Sequence, residues 1–134
     1  MESTRAKFTK SMRMTVPDEF KMALRTKPIG HGKFLSLHYH ALSDPVGESI
    51  GIKLGLIVPK RLVRLAVQRN RVKRVLRESF RLKQRELPSG SYLFRLKRAP
   101  GALSGSEIKK LAREEADKLL RKVRMEKNHA VAVD

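Results

Sequence analysis

The chain contains no cysteine and no tryptophan, and aromatic residues make up only 5% of it, as two tyrosines and five phenylalanines. Without thiols there is no disulfide, no thiolate metal site and no cysteine redox chemistry, and the composition fits a reducing compartment. Acids are scarce as well: 13 Asp and Glu stand against 31 Lys and Arg, a net charge of +18 over 134 residues. No apolar run approaches the roughly 20 residues of a membrane helix, and residues 1–30 lack the uninterrupted apolar core of a signal peptide. The expectation is therefore a soluble, cytoplasmic protein with no membrane partner.

The residues that protein nucleases use for chemistry are also missing as a constellation. Such enzymes cluster carboxylates around metals or pair a histidine with an activated partner. Here Glu78 is isolated among bases, Glu114, Glu115 and Asp117 read as the mixed surface of a helix, and the four histidines lack metal-ligand spacing. The glycines of "GIKLG" suit strand bends better than a phosphate loop, because no Lys-Ser/Thr follows at the required distance. No catalytic residue and no metal site is expected in the chain itself.

What is present is 40% hydrophobic residues, enough for one small domain with a real core. Residues 1–14 carry Arg5, Lys7, Lys10 and Arg13 against Glu2 and read as a basic arm, partly disordered when unbound. The domain proper is expected over residues 15–125, with a loose tail over 126–134. An excess of positive charge on this scale points to a polyanionic partner, nucleic acid ahead of an anionic membrane.

Within the domain, Thr15, Pro17 and Asp18 mark a helix start leading into Phe20, Ala23 and Leu24 and ending near Lys27. "FLSLHYHAL" alternates, with Leu35, Leu37, Tyr39 and Ala41 on one face and Phe34, Ser36, His38 and His40 on the other. After the loop "SDPVGES", residues 50–58 form a second, apolar strand ended by Pro59. From about Ala66 to Arg85 the period turns helical, with Val72, Val75, Leu76 and Phe80 in one stripe. "YLFRL" is a third strand. Ser104 and Glu107 form a capping box for a last helix whose apolar side is Ile108, Leu111, Ala112, Leu119 and Val123. The fold class is α+β, helices over a small sheet.

The densest charge falls on the middle helix. From Lys60 to Arg85 there are eleven basic residues and one acid, so ten of the eighteen net positive charges sit in this stretch. Asn70, Arg74, Arg77 and Arg81 lie opposite the apolar stripe, flanked by Arg71 and Lys73. Like charges at i, i+4 cost a few tenths of a kcal/mol each, and Glu78 can relieve only Arg74 and Arg81. A solvated helix face normally mixes signs. A phosphate backbone relieves the whole ridge, and the predominance of arginine suits bidentate phosphate contacts. Asn70 reads either as a cap or turn residue or as a ligand.

"RNRVKRVLRESFR", preceded by "LGLIVPKR" and followed by "LPSGSYLFRL", resembles the signature region of the bacterial ribonuclease P protein component. The resemblance extends from about Thr15, with "PDEF" resembling the family's first helix, to Val123. It carries the family's arginine-asparagine-arginine motif onto Arg69, Asn70 and Arg71, its basic ridge onto Lys73, Arg74 and Arg77, which Arg81 extends on the same face as an expected RNA-binding residue, and its strand-end basic pair onto Lys60 and Arg61. It implies an α-β-β-β-α-β-α order with a four-stranded mixed sheet, the fourth strand near Lys27 to Gly30, and a left-handed strand-helix-strand crossover, against the usual rule. It further implies that the ridge meets ribonuclease P RNA and that a cleft between the first helix and the sheet, at Phe20, Phe34, Ser36 and His38, meets the leader of precursor tRNA. Aromatic platforms there tolerate any base, although Phe20 and Phe34 read equally well as core. Leu24 stands where many members have a second aromatic. Catalysis would then belong to the RNA with Mg2+, and the partners would be RNA, with no DNA. Two rivals follow from the same charge: a ribosomal or other structural RNA-binding protein without a processing role, and a self-sufficient nuclease.

Overall fold

The computed structural model describes residue 13 and residues 17–40, 52–88, 90–101 and 103–133, with backbone only for residues 17–19 and 124–133. The expected arm lies outside these residues save for Arg13, as do the Thr15 cap and the loop "SDPVGES". In chain order the elements are helix α1 (Pro17–Arg25), strands β1 (Pro28–His31), β2 (Leu35–His40) and β3 (Ile52–Ile57), helix α2 (Ala66–Lys83), strand β4 (Gly90–Leu96) and helix α3 (Gly105–Val133). The strand expected near Lys27 to Gly30 is β1. Helix α3 continues through residues 126–133, where the sequence suggested a tail.

The sheet runs β1-β2-β4-β3. The first two neighbouring pairs are antiparallel, and β3 lies parallel to β4. Parallel neighbours cannot be joined by a tight turn, and α2 is the crossover between them. On one face of the sheet Leu35, Leu37, Leu54, Tyr92, Phe94 and Leu96 meet the stripe of Val72, Leu76 and Phe80 from α2 and Ile108, Ala112, Leu119, Leu120 and Val123 from α3. Burying a large apolar side chain contributes about 1.5–3 kcal/mol, so this single layer supplies most of the cohesion. Tyr92 sits at its centre, 5.2 Å from the Phe80 ring and 4.9 Å from Tyr39. Its hydroxyl donates to the Pro88 carbonyl, and burial holds the phenol well above its ordinary pKa.

The opposite face is thinner. There α1 packs Ala23, with Phe20, against Leu93 and Ile57. This helix is short and amphipathic, and Met22 and Leu24 remain exposed.

Both expected partners of the capping box are engaged. The Ser104 amide donates to Glu107 Oε1 at 2.9 Å, and the Glu107 amide to Ser104 Oγ at 3.2 Å. The Ser104 amide, and after it the Ser104 hydroxyl, holds the Glu107 carboxyl below its usual pKa.

Glu115 is different from its expected role on a solvated surface. It is 7% exposed and accepts the amides of Phe34 at 3.0 Å and Leu35 at 2.9 Å, thereby tying α3 to the β1–β2 turn. The turn must come close for this: a Cβ on Gly32 would lie 2.3 Å from Glu115 Oε1. A buried carboxylate is tolerated because backbone amides replace its water. Glu115→Ala leaves those amides without an acceptor, at a cost of about 1–3 kcal/mol. Urea unfolding should therefore show a lower midpoint at an unchanged slope, and Gly32→Ala should lower it as well.

Candidate RNA interface

Burial of Val72, Leu76 and Phe80 fixes the rotation of α2 about its axis, and the basic residues consequently fall into distinct strips. Asn70 and Arg74 form the outermost strip and are exposed. Asn70 lies inside the helix, whose N-cap is Leu65, so capping is not its role. Arg81 completes this strip but is paired with Glu78. That bond pulls the Glu78 carboxyl below its usual pKa, and it accounts for the one acid on the ridge.

Arg71 lies on the flank toward α3. Its Nη1 donates to Gln68 Oε1 at 3.2 Å, and a Cβ on Gly105 would meet its guanidinium at 1.8 Å. Lys73 and Arg77 occupy the other flank, toward edge strand β3. There they line a cleft of about 120 Å³ with Arg13, Phe20 and the β3 residues Leu54, Gly55 and Leu56. Partial burial lowers the pKa of Arg77, and the neighbouring charges of Arg13 and Arg74 lower it further.

Arg69 does not point outward. It stands three residues before Val72 and seven before Leu76, in line with the apolar stripe, and so its side chain turns inward at the helix end. Nη1 donates to the carbonyls of Val63 at 3.0 Å and Arg64 at 2.8 Å. The turn so held, closed also by the Leu62 and Val63 amides on the Pro59 carbonyl, exposes Lys60, Arg61 and Arg64 beside the start of α2.

The expected cleft residues separate. Phe20, half-buried, lines the cleft at β3. Ser36 and His38 do share the α1 face of the sheet, opposite Arg95 and Leu93, yet they are 1% and 4% exposed. His38 Nδ1 donates to the Thr26 carbonyl at 2.9 Å. Both residues are thus under the surface instead of lining a groove. Phe34 precedes β2 and packs on the other side of the sheet, with Val72, Ile108 and Ala112 around the same small cavity. Its amide is held by Glu115, which removes it from the strand alternation assumed for it.

Among the described residues no group of three or more His, Cys, Asp or Glu side chains could hold a metal, and no helix is long and apolar enough to cross a membrane. The sequence model of the family described as Ribonuclease P matches residues 8–124. The chain belongs to the ribonuclease P protein family. It is 36% identical over 120 residues to the ribonuclease P protein component of Bordetella petrii, covering 90% of this chain and 98% of that one. It is 40% identical to that of Bordetella avium over 106 residues, 78% of this chain and 85% of that one. The fold is that of the ribonuclease P protein of Staphylococcus aureus, with a TM-score of 0.66 at 17% identity over 85% of this chain and 99% of that one. The Thermotoga maritima protein gives 0.56 at 16% identity over 79% and 96%. As a ribonuclease P protein component, the chain is part of an endoribonuclease of tRNA processing.

In a ribonuclease P protein of this geometry, Arg69 stabilises a turn. Arg69→Ala should speed hydrogen exchange at the Leu62 and Val63 amides severalfold, because local opening no longer breaks two charged hydrogen bonds. Arg74→Ala should leave both amides unchanged.

Proposed function

We propose that this chain binds the RNA subunit of ribonuclease P through the outer strip of α2 and the turn before it, and supports removal of the 5′ leader from precursor tRNA without catalytic residues of its own. The observation that carries the reading is the orientation of α2. Its apolar stripe is held in the core, so Asn70 and Arg74 face outward beside Lys60 and Arg61, with no acid on that strip except Glu78, already paired to Arg81. Phosphates relieve the repulsion among these cations, and the release of counterions adds to the affinity.

The reading gives the hydrolytic step to the RNA, with Mg2+ supplying the Lewis acid and the activated water. The protein lowers the electrostatic cost of bringing two polyanions together. It also offers Phe20 as a platform for a leader base, a contact of about 1–3 kcal/mol that does not select sequence. Such tolerance suits leaders that differ between tRNAs, and the reading implies a cytoplasmic protein, with the RNAs it serves.

Reconstitution with the RNA subunit and a precursor tRNA tests this. Cleavage should be produced by the ribonucleoprotein in magnesium and not by the RNA-free protein. Arg74→Ala should flatten the slope of log affinity for the RNA subunit against log salt by about 0.7–0.9, the contribution of one phosphate contact. An unchanged slope would show that the outer strip faces solvent in the complex.

A further inference from the structure

Gly105 opens α3 beside the flank of α2 that carries Arg71. Its own backbone does not call for glycine: among the described residues the glycines with positive φ are Gly90 and Gly101. Nor does the helix start depend on it, because Ser104 and Glu107 supply the cap. Glycine weakens a helix relative to alanine, so by local propensity alone alanine would suit the position better. What the missing side chain leaves is room, and the guanidinium of Arg71 occupies it. A Cβ at this position would lie 1.8 Å from Arg71 Nη1, 2.8 Å from Cζ and 3.5 Å from Nε. The same Nη1 donates to Gln68 Oε1 at 3.2 Å. Arg81 is held by the carboxylate of Glu78, whereas the half-buried Arg71 is held by a neutral amide and keeps its charge unopposed.

We propose that Gly105 and Gln68 are positioning residues for Arg71: the gap at Gly105 and the Gln68 amide preset its guanidinium on the α3 flank of the ridge, where it takes an RNA phosphate. The proposal rests on the ridge reading above and extends the RNA footprint from the outer strip of α2 toward the start of α3. A free arginine side chain spreads over many rotamers, and binding a phosphate removes that freedom. A guanidinium already held in place loses less, and its planar fork matches phosphate oxygens. Gln68 and Arg71 stand at i, i+3, neighbours on one helix face, so the amide can hold the arginine without help from the rest of the fold. A methyl group at Gly105 would collide with the far end of a flexible side chain and not with the core. It would therefore displace the guanidinium and leave the domain folded. Were Gly105 needed instead for close packing of α2 on α3, the same methyl group would lower stability.

The test uses the full chain and ribonuclease P RNA, with affinity measured as a function of salt. Arg71→Ala should weaken binding about tenfold, as for loss of one charge-assisted contact. It should also flatten the slope of log affinity against log salt by about 0.7–0.9. Gly105→Ala should reproduce most of both losses although it removes no charge, and its urea midpoint should equal or exceed that of the wild type. The double variant Gly105→Ala/Arg71→Ala should bind no more weakly than Arg71→Ala alone, because the two changes remove a single contact. Gln68→Ala, which frees Nη1 without altering α3, should weaken binding in the same direction. Additive losses in the double variant would overturn the proposal, and so would a Gly105→Ala protein with the wild-type salt slope. A lowered urea midpoint with that slope unchanged would make Gly105 a packing residue. If Arg71→Ala itself binds like the wild type, Arg71 touches no RNA and its positioning has no purpose. Arg74→Ala then decides whether the ridge reading falls too, since that residue stands on the outer strip away from Gly105.

Discussion

The rotation of α2 is the constraint on which the rest depends. Val72, Leu76 and Phe80 are each at most 3% exposed, and turning the helix to bring a cation inward would expose that stripe while burying an unpaired charge. Both costs run to several kcal/mol, whereas the mutual repulsion of the surface cations is a few tenths per pair. Packing therefore decides where charge goes, and the surface cations of α2 stay close together because the buried stripe holds them there.

The same rotation distributes different tasks over one helix. Arg69 is aligned with the stripe and satisfies carbonyls of the preceding turn, Arg71 leans over Gly105 at the start of α3, and Arg81 is engaged by Glu78. Lys73 and Arg77 look toward β3 and Phe20, leaving Asn70 and Arg74 most open to solvent. A run that reads as uniform positive charge is thus several kinds of residue. Net charge sets the attraction to any polyanion, and helical phase determines which cations are exposed.

Much of this architecture was legible in the sequence because it is periodic. The stripe of α2, the alternation of β2 and the Ser104–Glu107 box follow from spacing alone, and β1 was reached through the family's order of elements. Features that depend on one side chain leaving its periodic role were harder to read. Glu115 lies three residues beyond Ala112 and seven beyond Ile108, on the buried side of α3, and that placement was its only sequence signal. Read as a surface acid, it was separated from Gly32, the residue that makes room for it. Phe34 was carried into the strand alternation one residue too early, since its amide belongs to the turn held by Glu115.

Ser36 and His38 show the limit from the other direction. Their positions on the α1 face were read correctly, but alternation gives the face and not the depth. Depth depends on what covers the sheet, and beneath it the Thr26 carbonyl takes the hydrogen of His38 Nδ1 while Ser36 Oγ and His38 Nε2 are buried without a hydrogen-bond partner. Phe20 escaped the same fate because it stands where the sheet ends at β3. An open sheet edge leaves room beside the last strand, and α2, crossing over to return the chain to β4, borders that room with its Lys73 and Arg77 flank. The parallel crossover thereby brings an aromatic from one face of the sheet and cations from the other to one cleft.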